Sequence, residues 1–274
     1  MAFVAFEYLY KKVDFFLLTE SEMSQRGRRR TLPTLQTKEL LTPFADKIVA
    51  IPLNFSIFER AGVSEQDKAW DREVFQRDSI ATAALERFGN KKFILVIADA
   101  DEVPDLASYD ALAGMYDQLT NNQVHFTMRM FYYSFTWVKL DGHAPSVWKH
   151  TYAVNDQYLR RIEHSRSFTS DMRYMRLAHA NNIMWLPGGW HCSACMAPER
   201  ISEKSKSFVH VDYPIVSVEW AQYCIDNGVD MFNRSDALYE RNTGPDFPYC
   251  GGCKTLQQWI DLVPKTDSEE GAPM

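Results

Sequence analysis

Phe93-Ile94-Leu95-Val96-Ile97-Ala98-Asp99-Ala100-Asp101-Glu102-Val103-Pro104 is the stretch on which the fold turns. Phe93 to Ala98 is a continuous apolar run of strand length. Runs of this kind are strands covered on both faces, as in a mostly parallel sheet flanked by helices. Acidic residues follow at once, and Pro104 stops the strand from continuing. Ligands of open α/β sheets gather beyond the carboxyl ends of the strands, where Asp99, Asp101 and Glu102 fall. Carboxylates crowded together repel one another, and something must compensate them. A hard divalent cation, Mn²⁺ or Mg²⁺, takes oxygen ligands and does so well. Such a cation can bridge a diphosphate and neutralise charge on a departing nucleotide. An acidic turn that merely caps a helix would use the same residue types, so the D-x-D pattern alone leaves both readings open.

The sequence around this run alternates helix and strand. Upstream, Trp70 to Phe88 carries Trp70, Val74, Ala81, Ala84, Leu85 and Phe88 at helical spacing, and Gly89-Asn90 stops it. Glu73 and Arg77 lie four apart on that helix and can pair. Val13 to Leu18 and Ile48 to Leu53 read as strands, the second placed at a strand end or a sheet edge by Pro52, with a short helix between Thr37 and Phe44. Downstream, Asp110 to Leu119 reads as helix. Val124 to Met130 and Tyr132 to Val138 read as strands with Arg129 at the junction, and Asp141 to Ser170 as loop-rich. Helices follow within Ala194 to Phe208 and over Trp220 to Asn227. The pattern predicts one α/β domain over residues 1–265 and a disordered acidic tail over 266–274.

Composition narrows the function classes. A net charge of −6 argues against a nucleic-acid partner, since the single basic run, Arg26 to Arg30, sits in an acidic chain. That run is either a solvated loop or an anion grip. Aromatic residues reach 14%, which suits sugar-stacking loops or a large aromatic core. No stretch is long and apolar enough to span a membrane, and the N-terminal apolar run is broken by Glu7 and Lys11-Lys12 without a signal-peptide pattern. The five cysteines include two C-x-x-C pairs, Cys192/Cys195 and Cys250/Cys253. Zinc, disulfides and plain buried thiols all stay open for them, although the pairs lie farther apart than in a zinc ribbon.

Several ordered motifs resemble glycosyltransferase family 17, the family of the β-1,4-mannosyl-glycoprotein 4-β-N-acetylglucosaminyltransferase. Asp99 to Pro104 resembles its D-x-D-E-I/V-P segment. Glu20-Ser21 with Gly27, and Trp70, Glu73 and Arg77, resemble its E-S-x-x-x-x-x-G and W-x-x-E-x-x-x-R segments. Phe126, Met128, Arg129, Tyr133, Phe135 and Trp137 resemble its strand pair. Gly189 to Ser193, then Lys204, Ser207, Phe208 and His210, resemble its G-W-H-C/F-S and K-x-x-S-F-x-H segments. The resemblance begins partway through the family's E-x-x-L-L-x-x-R segment, with Ala5 in place of its Arg, so the chain reads as lacking the family's first strand.

The resemblance implies a GT-A-like open, mostly parallel sheet with a loop-rich acceptor half. It implies inverting transfer of a sugar from a UDP-sugar, UDP-GlcNAc in the family, to a glycan such as a β-linked mannose of an N-glycan. An inactive relative that binds carbohydrate or acts as a scaffold is the alternative. Asp99, Asp101 and His191 are the implied metal residues, and Asp101, Glu102 and His191 the implied reacting centre. Asp99, Glu73, Arg77, Arg129, Lys204 and His210 are implied to hold the donor. Trp137 and Trp190 are candidates for sugar stacking or for the core. Glu20, Glu102 and Glu199 stay open as the base that takes the acceptor proton. Both the cytoplasm and the Golgi lumen stay open as locations.

Overall fold

A computed structural model describes residues 2–164, 182–210, 212–243 and 253–263. The described chain is mixed α/β. It opens with α1 (Ala2–Leu9), β1 (Phe16–Glu20), two single-turn helices α2 (Pro33–Gln36) and α3 (Lys38–Leu41), and β2 (Ile48–Pro52). The long helix α4 (Glu65–Phe88) leads into β3 (Ile94–Ile97), β4 (Glu102–Val103) and α5 (Leu106–Ala113). Then come β5 (Gln123–Tyr132), β6 (Trp137–Asp141), β7 (Ala144–Pro145), β8 (Val147–Trp148), β9 (Tyr152–Asn155) and α6 (Asp156–His164). The described chain closes with β10 (Ile183–Ser193), α7 (Pro198–Ser207), α8 (Val218–Asn227), β11 (Leu238–Arg241) and α9 (Leu256–Leu262).

β5 is the spine of the large sheet. It pairs parallel with β10 and antiparallel with β6, β8 and β9, while β11 extends the β6 side. β9 carries β3 antiparallel on its far side, and β10 carries β4 antiparallel. β1 and β2 form a separate parallel pair. The expected mostly parallel sheet is therefore corrected: among the described strands only β1·β2 and β5·β10 run parallel. The reason lies between 141 and 155, expected to be loop-rich, where β7 turns back on β6, β8 and β9 fold back along β5, and β9 becomes an antiparallel neighbour of β3.

The apolar run is nonetheless covered on both faces, as expected. Leu95 and Ile97 pack with Ala81, Ala84 and Leu85 of α4. Ile94 and Val96 pack on the opposite side with Leu112, Val124 and Phe126. Two-sided burial, not parallel pairing, is what a continuous apolar strand records.

Local signals account for the helix ends. α4 starts five residues before the predicted Trp70, because Ser64 caps it by accepting from the Asp67 N–H and Glu65 and Asp67 fill the first turn. It ends at Gly89 with φ +52°. α5 likewise begins at Leu106, where Asp105 accepts from the Ser108 N–H, and not at Asp110. β5 runs unbroken through Arg129, and the chain turns only at Tyr133, φ +62°. Cys192 and Cys195 form a disulfide beyond the end of the β10·β4 ladder, Cys253 is also disulfide-bonded, and Cys224 is a buried free thiol. Cys250 and the predicted tail, 266–274, lie outside the described residues. No helix among the described residues is long and apolar enough to cross a membrane.

Candidate active site

The chain leaves β3 on the β9 side of the sheet and enters β4 beside β10, so the Asp99-Ala100-Asp101 turn spans the strands between them. Two glycines of β10 make the landing possible. A Cβ on Gly189 would lie 2.7 Å from the Val103 carbonyl oxygen and 2.9 Å from Pro104 Cα. Gly188 and Gly189 sit at φ +122° and +127°, which side chains disfavour. The register then sets His191 opposite Glu102, and the Cys192 N–H donates to the Asp101 carbonyl at 3.0 Å.

The acidic side chains do not share one partner. Asp99 pairs with Arg77 of α4, Oδ1 to Nη1 at 2.8 Å, and Arg77 also holds Glu73 at 3.1 Å. Burial works against the Arg77 charge, but Asp99, Glu73 and Glu102 outweigh it and hold the guanidinium protonated. Asp101 faces His191 on one side and Lys204 of α7 on the other, each at 3.6 Å. Burial pushes its carboxyl pKa up, yet Lys204 and His191 overcome this and keep it well below the usual carboxylate range.

Glu102 is different. It is 2% exposed. Its Oε1 accepts from the Trp148 indole N–H at 2.7 Å, and its Oε2 from the Thr151 hydroxyl at 2.6 Å and the Asp99 N–H at 2.9 Å. The Trp148 ring lies 4.1 Å from the His191 ring at 31°. His191 Nδ1 is buried without a hydrogen-bond partner among the described residues.

Asp99, Asp101, Glu102, Arg77, His191 and Lys204 all line one cavity of about 1870 Å³. Glu73 and His210 line it too. His210 stacks on Tyr213 at 5.0 Å and meets Trp70 edge-on at 5.3 Å, so it stands in an aromatic wall. Arg129 is not brought to the cavity: it donates to Asn242 Oδ1 at 3.1 Å and lies over the Phe131 ring. Trp137 packs into a core cluster and donates to the Ile225 carbonyl, and Trp190 packs on the opposite face of β10 from His191, edge-on to Tyr8. Glu20 is buried and accepts from the Thr34 N–H and hydroxyl, and Glu199 does not line the cavity. With Glu102 occupied by three donors, none of the candidate bases stands open to an acceptor hydroxyl.

Sequence reasoning missed Trp148 and Thr151. Ser146, Val147, Trp148 and His150 all line the cavity, and the Val147-Trp148 pair was the available strand signal in a stretch expected to be loop. Neither the curated proteins nor the solved structures give a significant match. The family model of glycosyltransferase family 17 matches residues 1–240, a span that takes in the acidic turn, the Arg77 helix, His191 and Lys204. With most of its length matched, the chain belongs to glycosyltransferase family 17.

Proposed function

We propose that the chain moves GlcNAc from UDP-GlcNAc to a glycan hydroxyl, such as that of a β-linked mannose, with inversion at the anomeric carbon and the help of Mn²⁺ or Mg²⁺. Family membership carries the general part: a transferase with a nucleotide-sugar donor and a glycan acceptor. The finer part rests on one observation, Asp101 held between Lys204 and His191 at 3.6 Å each at the wall of the cavity. We assign residues 1–265 to a single catalytic domain of GT-A-like type, in which the acidic turn lies where a donor diphosphate binds.

The residues fit a cation in part. A carboxylate oxygen and an imidazole nitrogen 3.6 Å apart are too far for a strong hydrogen bond, and both can reach one ion at bond lengths of about 2.1 Å. The mixed oxygen and nitrogen donors suit Mn²⁺. Among the described residues no group of three or more His, Cys, Asp or Glu side chains is arranged to hold an ion. Asp101 and His191 would therefore supply the protein ligands, and diphosphate oxygens and water the rest. The ion would contribute charge neutralisation on the leaving diphosphate.

In the transfer, the acceptor oxygen forms a bond to the anomeric carbon as the bond from that carbon to the β-phosphate oxygen breaks. The electron pair leaves with UDP, and the hydroxyl proton passes to a base. Lys204 brings a cation to the side of Asp101 and stabilises charge that develops on the diphosphate. Arg77 neutralises Asp99 and fixes the first half of the turn, which frees Asp99 from repelling Asp101.

Asp101→Asn keeps the shape and removes the charge. Turnover with UDP-GlcNAc and Mn²⁺ is expected to fall about 10²-fold or more, and calorimetry should show weaker Mn²⁺-dependent donor binding. Unchanged turnover and unchanged binding would reject this site.

A further inference from the structure

The residue that organises the acidic turn comes from outside it. Trp148 lies on β8, which pairs with β5 through Met128↔Trp148 and Arg129↔Val147, and so is fixed to the spine of the sheet. Its indole does two things at once. The N–H donates to Glu102 Oε1 at 2.7 Å, and the ring packs against His191 at 4.1 Å and meets His150 edge-on at 4.4 Å. Thr151, immediately before β9, takes the second Glu102 oxygen, and that oxygen also holds the Asp99 N–H. A buried carboxylate with three donors is a rigid fixture: leaving any donor out leaves a buried acceptor short of a partner, at a penalty. The fixture lies between the two residues that face the cation position, Asp101 next to it in sequence and His191 opposite it in the ladder.

We infer that Trp148, acting with Thr151 through Glu102, is a positioning residue for sugar transfer. It aims the Asp99–Asp101 turn and the His191 ring at the same point. Glu102 is then an internal anchor, neither an ion ligand nor the acceptor's base. The inference rests on the glycosyl-transfer reading above and adds to it residues that no motif of the chain indicated. Geometry of this kind governs the chemical step more than ground-state binding, because small misplacements of reacting groups lower turnover steeply.

The test uses the full chain and two substitutions, Trp148→Phe and Thr151→Val. The first keeps a ring against His191 and loses the N–H, and the second keeps the volume and loses the hydroxyl. Each is expected to lower kcat about tenfold or more with donor KM changed by less than about threefold. The double variant should lose less than the product of the two, since both act on one carboxylate. A second readout needs neither metal nor donor. In proton NMR of the metal-free protein, the indole N–H resonance missing from Trp148→Phe should exchange slowly with solvent, and faster in Glu102→Gln. A folded variant with wild-type kcat, a loss confined to KM or to the yield of folded protein, or a Trp148 N–H that exchanges freely overturns the role. Should Trp148→Phe not fold, Thr151→Val decides alone by the same kcat criterion. Wild-type chain without transfer activity would sink the glycosyl-transfer reading and this role with it, whereas wild-type transfer that survives both substitutions sinks only the role.

Discussion

Gly189 shows how little room a single residue leaves at the site. Its φ of +127° lies where side chains are strained, and the atoms a Cβ would meet, Val103 O at 2.7 Å and Pro104 Cα at 2.9 Å, are backbone and cannot swing aside. Gly189→Ala must push β4 from β10 or twist β10, at a cost on the order of 2–4 kcal/mol. Gly62 supplies the contrast: φ is +79° there too, but a Cβ would meet nothing within 4 Å. Gly62→Ala should cost only about 1 kcal/mol, the left-handed backbone term alone. Urea denaturation of the two variants checks this, and equal losses would show that the β4·β10 contact is not tight. Because the same pair sets His191 opposite Glu102, Gly189→Ala should also lower turnover.

At the scale of elements, α4 carries a polar face into the cavity, and the cost of that face is measurable. Arg77 is largely buried and pairs with Asp99 Oδ1 and Glu73 Oε1 together, while Glu73 Oε2 is buried with no hydrogen-bond partner among the described residues. Arg77→Met leaves Glu73, only 12% exposed, without its cation, and should destabilise the fold by about 3 kcal/mol. Arg77→Met with Glu73→Leu should recover part of that loss, since a buried charge no longer stands alone. Thermal unfolding of the single and double variants reads the difference, and a double variant no more stable than Arg77→Met would contradict the burial argument. The i,i+4 pair and the helix that bears it were legible in the sequence because both are local. So was the acidic turn after β3, since a strand end and a proline mark it. The Asp99 partner was not, because Arg77 and Asp99 meet only through the packing of α4 on β3. Strand direction was illegible for a related reason. A continuous apolar run reports burial on two faces, and nothing within Phe93 to Ala98 says that β9 returns antiparallel beside it. Trp148 and Thr151 lay in polar sequence whose short strands are held by β5, not by their own propensity.

Across the whole molecule, stability has an acid limit and an alkaline limit set by different places. On the acid side stand Asp101 and Asp230. Burial raises both carboxyls, but Lys204 and His191 overcome it at Asp101, and the hydrogen bonds of Arg234 and Tyr239 overcome it at Asp230. Their folded pKa values are therefore lowered. The stability they contribute is present above the unfolded value of about 3.9 and lost as pH falls through the folded one. On the alkaline side stands the core cluster that fastens α7 and α8 to the sheet, which includes Tyr133 and Cys224. Burial pushes the Cys224 thiol up to about 11, and raises the Tyr133 and Tyr239 hydroxyls as well. Here the protonated, neutral forms are the folded ones. As pH rises past the ordinary thiol value the unfolded chain releases a proton that the folded chain keeps, so stability falls with pH until the folded thiol also ionises near 11. Denaturant unfolding from pH 7 to 10.5 should show a decline that begins near pH 9. Cys224→Ala, which removes the thiol without adding a polar group to a buried site, should start less stable at pH 7 and decline less steeply over the same interval. Parallel curves for the two proteins would place the alkaline limit on the tyrosines and remove Cys224 from it.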